Sequence, residues 1–142
     1  MPRASWLLGL AGLIPFVAGL LAFIYLEDYP KTLGQHAFLL YSLAIISFLA
    51  GTTWGWAQAA RPRDGGIQLL VSNGIVIFAV LAMLTANPFW ALILLAAAYL
   101  VFLGYERRVL EQTNDYRRMR ATLTLLVVTL HGVMVAALSV DA

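Results

Sequence analysis

Apolar residues run through this chain in long unbroken stretches, without the alternation of a half-buried strand. Five stretches reach the roughly 20 mostly apolar residues that a helix needs to cross the hydrocarbon of a bilayer. They run from about Ser5 to Leu26, His36 to Ala60, Ile67 to Ala86, Pro88 to Tyr105 and Ala121 to Val140. Turn-forming residues separate them: Glu27-Asp28-Tyr29-Pro30-Lys31, then Arg61-Pro62-Arg63-Asp64-Gly65-Gly66, then Asn87-Pro88. The polar run Glu106 to Arg120 reads as a solvated extension of the fourth helix, followed by a turn near Thr113-Asn114-Asp115. Strands do not compete, because the runs are too long and too rich in Leu and Ala. The pattern predicts an all-α integral membrane bundle of five transmembrane helices, forming a single domain over residues 1–142.

Composition agrees. The chain is 62% hydrophobic and only 11% charged, with a mean hydropathy of +0.85. Soluble domains carry about 45–50% apolar and about 25% charged residues, and a chain this short cannot hide such an excess in its own core. A soluble enzyme, a disordered regulator and a nucleic-acid-binding domain are all disfavoured. The absence of cysteine removes disulfides, iron–sulfur clusters and thiol chemistry. The net charge of +2 and the isoelectric point near 9.2 arise from arginines placed by topology. Every arginine (3, 61, 63, 107, 108, 117, 118 and 120) falls on the side of the N-terminus, and Lys31 alone falls on the other. The positive-inside rule therefore predicts a cytoplasmic N-terminus and an outside C-terminus. A secretory signal has an apolar region of only about 7–15 residues, so the longer first stretch reads as a retained helix. The expected location is a bacterial inner (cytoplasmic) membrane, crossed several times.

Ser47, Gly51, Gly55 and Ala59 recur every four residues on the second helix and read as a packing stripe for a neighbouring helix or a second copy. Ala11, Pro15 and Gly19 form a weaker stripe on the first helix, which Pro15 should kink. Polar residues within a bilayer are costly and usually face the bundle interior. Thr52, Thr53, Trp54 and Gln58, then Gln68, Ser72 and Asn73, then Arg120, Thr122 and Thr124 lie at similar depth on three helices. They are expected to form one cytoplasmic-side layer centred on Trp54, Asn73 and Arg120. This layer serves either as interhelical hydrogen bonds or as a pocket for an amphipathic ligand. His131 shares a face with Arg120 and Thr124 and needs a partner such as Tyr41, Thr52 or Thr129. His36 stands about 15 Å from the level of His131 at helical rise, too far for the two to ligate one haem. Glu27, Asp28 and His36 lack the ligand density of a metal site, so no metal or cofactor is expected. Trp6, Tyr25, Tyr29, Trp90 and Tyr105 read as an interfacial aromatic belt. No nucleophile–base pair or phosphate-cradling loop supports catalysis, so the chain reads as a non-enzyme.

Three stretches resemble a known family. They are Gly12-Leu13-Ile14-Pro15-Phe16, then Tyr41 with Ser47-Phe48-Leu49-Ala50-Gly51-Thr52-Thr53-Trp54-Gly55, and Tyr116-Arg117-Arg118-Met119-Arg120-Ala121-Thr122-Leu123-Thr124. Together they are similar to the transmembrane protein 69-like family of small membrane proteins (domain of unknown function 3429). Asp115, Met119 and Ser72-Asn73 depart from that family's pattern. The resemblance implies a compact five-helix inner-membrane protein with a mitochondrial relative in animals, and implies no activity. Two functions are carried forward from the sequence. One is an accessory or assembly partner of a membrane complex, or a self-associating bundle, whose partners are the lipid bilayer, other membrane proteins or a second copy, and not nucleic acid. The other is a carrier or sensor that binds a small amphipathic ligand (a lipid or quinone) in a pocket formed by Thr52, Trp54, Gln58, Ser72, Asn73, Arg120, Thr124 and His131.

Overall fold

The computed structural model describes residues 3–63, 65–85, 87–110 and 112–141. Asp64, Ala86 and Glu111, which the sequence places in or beside connectors, lie outside the described residues. The chain folds as α1 (Arg3–Ala11), α2 (Ile14–Tyr25), α3 (Asp28–Ala60), α4 (Gly65–Thr85), α5 (Pro88–Val109) and α6 (Asn114–Asp141). Five helices are long and apolar enough to cross a membrane, with α1 and α2 together forming the first, Arg3–Tyr25.

The break between α1 and α2 follows from Pro15, whose missing N–H leaves the Ala11 carbonyl without its usual partner. The backbone tightens there, with Leu13 N donating to Leu10 O at 3.0 Å, and the Tyr41 hydroxyl donates to Gly12 O at 2.8 Å. Side chains and backbone conformation close the other ends. Arg61 takes a left-handed conformation (φ 46°) that ends α3. The Asn87 side chain accepts from Trp90 N at 3.1 Å to begin α5, with Pro88 in the first turn. Thr113 Oγ1 accepts from Tyr116 N at 3.2 Å to begin α6.

Interhelical contacts fix an up-and-down order. Phe16 stacks edge-on against Phe38 at 5.1 Å, while Lys31, earlier on α3, donates to Phe23 O at 2.7 Å, so α2 and α3 run antiparallel. Ser72 Oγ donates to Ala50 O at 2.6 Å between α3 and α4. Tyr99 OH donates to Ser42 O at 2.7 Å between α3 and α5. Helix α3 thus packs against α2, α4 and α5, and α6 closes the bundle against α5, α2 and α1. The arginine-bearing segments gather at one end. At the other, Lys31 links three helices through Phe23 O, the Phe23 ring (4.1 Å) and Asp141 (3.1 Å).

Two expectations change. Helix α3 starts at Asp28, not near His36, because Pro30 sits in a first turn whose N–H groups have no helical partner anyway. Its 33 residues make it about 50 Å long at about 1.5 Å per residue, well beyond the hydrocarbon thickness of about 30 Å. The stripe Ser47, Gly51, Gly55, Ala59 does not pack within the chain. Ser47 is half-buried and the other three are exposed, and a Cβ added at Gly51 or Gly55 meets nothing within 4 Å. The buried face of α3 runs instead through Phe38, Ser42, Ile46, Ala50, Thr53 and Ala57. Large side chains meeting Phe16 and Tyr99 set that face, and lipid imposes no penalty on small residues turned outward.

The close crossing lies elsewhere, at Gly19 of the weaker stripe. A Cβ on Gly19 falls 2.8 Å from Gly34 O, and one on Gly34 falls 2.7 Å from both the Ala22 Cβ and Gly19 O. Leucine at Gly34 should therefore force α2 and α3 apart, at the roughly 1–3 kcal/mol typical of overpacking or more. Thermal unfolding in detergent should show Gly34→Leu clearly destabilised and Gly55→Leu unchanged; the reverse order would mean that the α2–α3 crossing is misplaced.

Candidate functional site

A buried layer forms toward the arginine end; it gains Glu106, and several of the expected residues fall outside it. Arg120 on α6 is 5% exposed and Glu106 on α5 is fully buried. The Arg120 Nε–H donates to Glu106 Oε1 at 3.0 Å, and Nη1 donates to Thr124 Oγ1 at 3.2 Å. The register of the interhelical contacts puts buried Thr53 and Gln68 near the same level on α3 and α4. Glu106 Oε2 and Thr53 Oγ1 are buried and have no hydrogen-bond partner among the described residues.

Trp54, Asn73 and Gln58 do not belong to this layer. Trp54 is 44% exposed, and Asn73 and Gln58 are exposed as well. Each residue along a helix turns the side chain by about 100°, so Trp54 lies one step round from buried Thr53, and Asn73 one step from buried Ser72. The layer lies toward the arginine end, but Trp54, Asn73 and Gln58 turn to other faces of their helices. Ser72 is buried, but its hydroxyl is spent on Ala50 O between α3 and α4.

His131 occupies the centre of the bundle, fully buried, with the rings of Phe38, Tyr99 and Phe16 at 4.9, 5.5 and 5.6 Å. Its partners differ from those expected. Nδ1 lies 2.7 Å from Val127 O, which can only accept, so Nδ1 carries the hydrogen. Nε2 then accepts from Ser42 Oγ at 2.7 Å, while Tyr99 OH donates to Ser42 O. Tyr41, Thr52 and Thr129 bond elsewhere, to Gly12 O, Leu49 O and Leu125 O. With both ring nitrogens engaged, His131 acts as a structural tie between α3 and α6.

Beside the ion pair lies a cavity of about 360 Å³. Leu8, Gly9, Gly12 and Phe16 wall one side, Ile45, Phe48, Leu49 and Thr52 another, and Tyr116, Met119, Arg120, Leu123, Thr124 and Val127 the third, with Tyr99 beyond. Its volume is at the low end of the roughly 300–1,000 Å³ typical of small-molecule sites. The polar groups Arg120, Thr124, Tyr116 and Thr52 gather at the arginine end, and Phe16, Ile45 and Val127 line the deeper part. Three expected pocket residues, Thr52, Arg120 and Thr124, meet here.

Residues 1–136 match the family described as "Protein of unknown function (DUF3429)". The chain belongs to that family. Transmembrane protein 69 of Xenopus tropicalis is 33% identical over 132 residues, covering 89% of this chain and 51% of the relative. The chain thus spans about half the length of that relative. No solved structure matches. The protein is accordingly a helical membrane protein of a family whose function is unknown. All three stretches that carry the resemblance border the cavity: Gly12, Leu13 and Phe16 from the first, Phe48, Leu49 and Thr52 from the second, and Tyr116, Met119, Arg120, Leu123 and Thr124 from the third.

Glu106 was missed by sequence reasoning because it begins a charged run. A signal was present: Leu92, Leu95, Tyr99, Phe102 and Glu106 follow at alternating three- and four-residue steps, and all are buried. Removing one partner of a buried ion pair leaves the other charge uncompensated, at about 3–5 kcal/mol. Arg120→Met should therefore lower thermal stability steeply in detergent, and Glu106→Leu/Arg120→Met should recover most of the loss. If the double variant is no more stable than Arg120→Met, the pair is not coupled as its geometry indicates.

Proposed function

We propose that this is a non-enzymatic membrane protein that holds a small amphipathic molecule, of lipid or quinone type, in the cavity between α1–α2, α3 and α6. The observation that carries this reading is the convergence of the three family-like stretches on one cavity, apolar along its length and polar at one end. The polar end faces the arginine-rich end of the bundle, so a head there and a tail toward the centre would match the orientation of a lipid in the adjoining leaflet. The non-enzymatic reading is supported by the engagement of Arg120 with Glu106 and Thr124, of Tyr99 with Ser42, and of His131 with Ser42 and Val127.

The protein purified in mild detergent is expected to carry one amphiphile per chain, detectable by native mass spectrometry. Ile45→Trp, which fills the deep part of the cavity, should remove it. A chain that arrives empty and gains no stability from added lipids or quinones would count against the reading.

A second reading, an accessory or self-associating bundle, is favoured by the exposed face Gly51, Gly55 and Ala59, where nothing of the same chain approaches either glycine. Under that reading Gly55→Leu changes the oligomeric state in detergent while leaving any bound amphiphile in place.

The proposed setting is a bacterial inner membrane with a cytoplasmic N-terminus, supported by the arginines at one end and Lys31 at the other. A reporter fused after Ala142 should be active in the periplasm, and one inserted after Asp64 should behave as cytoplasmic; a cytoplasmic C-terminus would overturn the orientation.

A further inference from the structure

We infer that the cavity selects an uncharged amphiphile, with a hydrogen-bond-accepting carbonyl in its head and a single apolar tail, and discriminates against carboxylate heads. The inference rests on the ligand-binding reading above and specifies the chemistry of that site.

An arginine at the polar end of an apolar cavity ordinarily suggests an anionic ligand. Here the arginine already has its anion. Arg120 Nε and Glu106 Oε1 are 3.0 Å apart, and neither side chain is more than 6% exposed. A second carboxylate would share one guanidinium with Glu106 in a medium of low dielectric, where like charges repel strongly. Beyond Arg120 itself, Glu106 has no second donor to soften that repulsion, since its Oε2 lacks a hydrogen-bond partner among the described residues. The other arginines of that end, including Arg117 and Arg118, do not line the cavity.

What the paired Arg120 retains is hydrogen-bond donation. A guanidinium carries five N–H donors, and the contacts to Glu106 and Thr124 engage only its Nε and Nη1. Thr124 Oγ1 accepts from Arg120, which leaves its own hydroxyl hydrogen to donate, and the Tyr116 hydroxyl is a further possible donor on the same wall. The head end thus offers donors with no net charge. A ketone or ester carbonyl supplies acceptors with no net charge. The volume of about 360 Å³ suits one chain and is small for the paired tails of a phospholipid.

The test compares matched heads on tails of similar length: monolaurin, decylubiquinone and laurate, titrated at pH 7.5 into the full-length protein in maltoside micelles. Binding is read by the ligand-dependent rise in unfolding temperature and by native mass spectrometry. The wild-type protein should bind monolaurin or decylubiquinone at least about tenfold more tightly than laurate, a preference that corresponds to about 1.4 kcal/mol. Whichever neutral probe binds better identifies an ester or a quinone source. Glu106→Gln keeps an oxygen for the Arg120 Nε–H but frees the cation, so it should shift the preference toward laurate. Ile45→Trp should abolish cavity binding of all three, which separates it from laurate collected at the exposed arginines.

Wild-type protein that binds laurate as tightly as the neutral probes, in a manner blocked by Ile45→Trp, overturns the inference and leaves the ligand-binding reading standing. An unchanged preference in folded Glu106→Gln overturns it too. The wild-type comparison decides even if that variant fails to fold. Binding of none of the probes, with no effect of Ile45→Trp, removes the ligand-binding reading itself.

Discussion

A guanidinium and a carboxylate buried 3.0 Å apart, in a chain that is only 11% charged, constrain the rest of this structure. Each is costly to bury alone, so the segments that carry them must stay together. Glu106 ends the buried face of α5 and Arg120 follows Met119 at the start of that of α6, and the short connector between these helices returns the chain at the required level. With α6 held in that rotation, Thr124, Val127 and His131 follow on the same face and meet the core. The ion pair therefore orients the helix that forms one wall of the cavity.

The other walls come from different physics. Proline chemistry kinks the first span at Gly12–Leu13, where the Tyr41 hydroxyl bonds the Gly12 carbonyl, and Leu8 and Gly9 of α1 wall one side of the cavity. Lower down, Gly19 and Gly34 bring α2 and α3 to backbone contact, and Lys31 fastens the end opposite the arginines. A tight crossing at one end and a kink toward the other are compatible with space remaining between the helices near Arg120. His131 fills the middle, where its hydrogen bonds join α3 to α6 and the rings of Phe16, Phe38 and Tyr99 pack around it.

The sequence revealed elements and depth better than it revealed faces. Apolar length located the spans, Pro15 located the kink, and Arg120, Thr124 and His131 were correctly placed on one face of the last helix. Asn73 misled through register, lying one residue round the helix from buried Ser72, whereas the stripe through Gly51 and Gly55 and the position of Trp54 misled for a different reason. In a soluble helix the apolar side marks the interior, whereas in lipid both sides are apolar and small or amphipathic residues face outward at little cost. Gly34 lies between Pro30 and His36, in a stretch whose turn-forming residues hide the first turns of α3. Glu106 was hidden by neighbouring arginines, although its spacing from Tyr99 and Phe102 kept it in phase with the buried face.

The most direct test of the account is an experimental structure of the protein in a lipid nanodisc, at a resolution that shows side chains. It should show the Glu106–Arg120 pair intact inside the bundle and an elongated density lying from Phe16 and Ile45 toward Arg120 and Thr124, with its head within hydrogen-bonding distance of the guanidinium. An Arg120 side chain turned out to the membrane surface and separated from Glu106, with the space beside it closed by the helices themselves, would contradict the account.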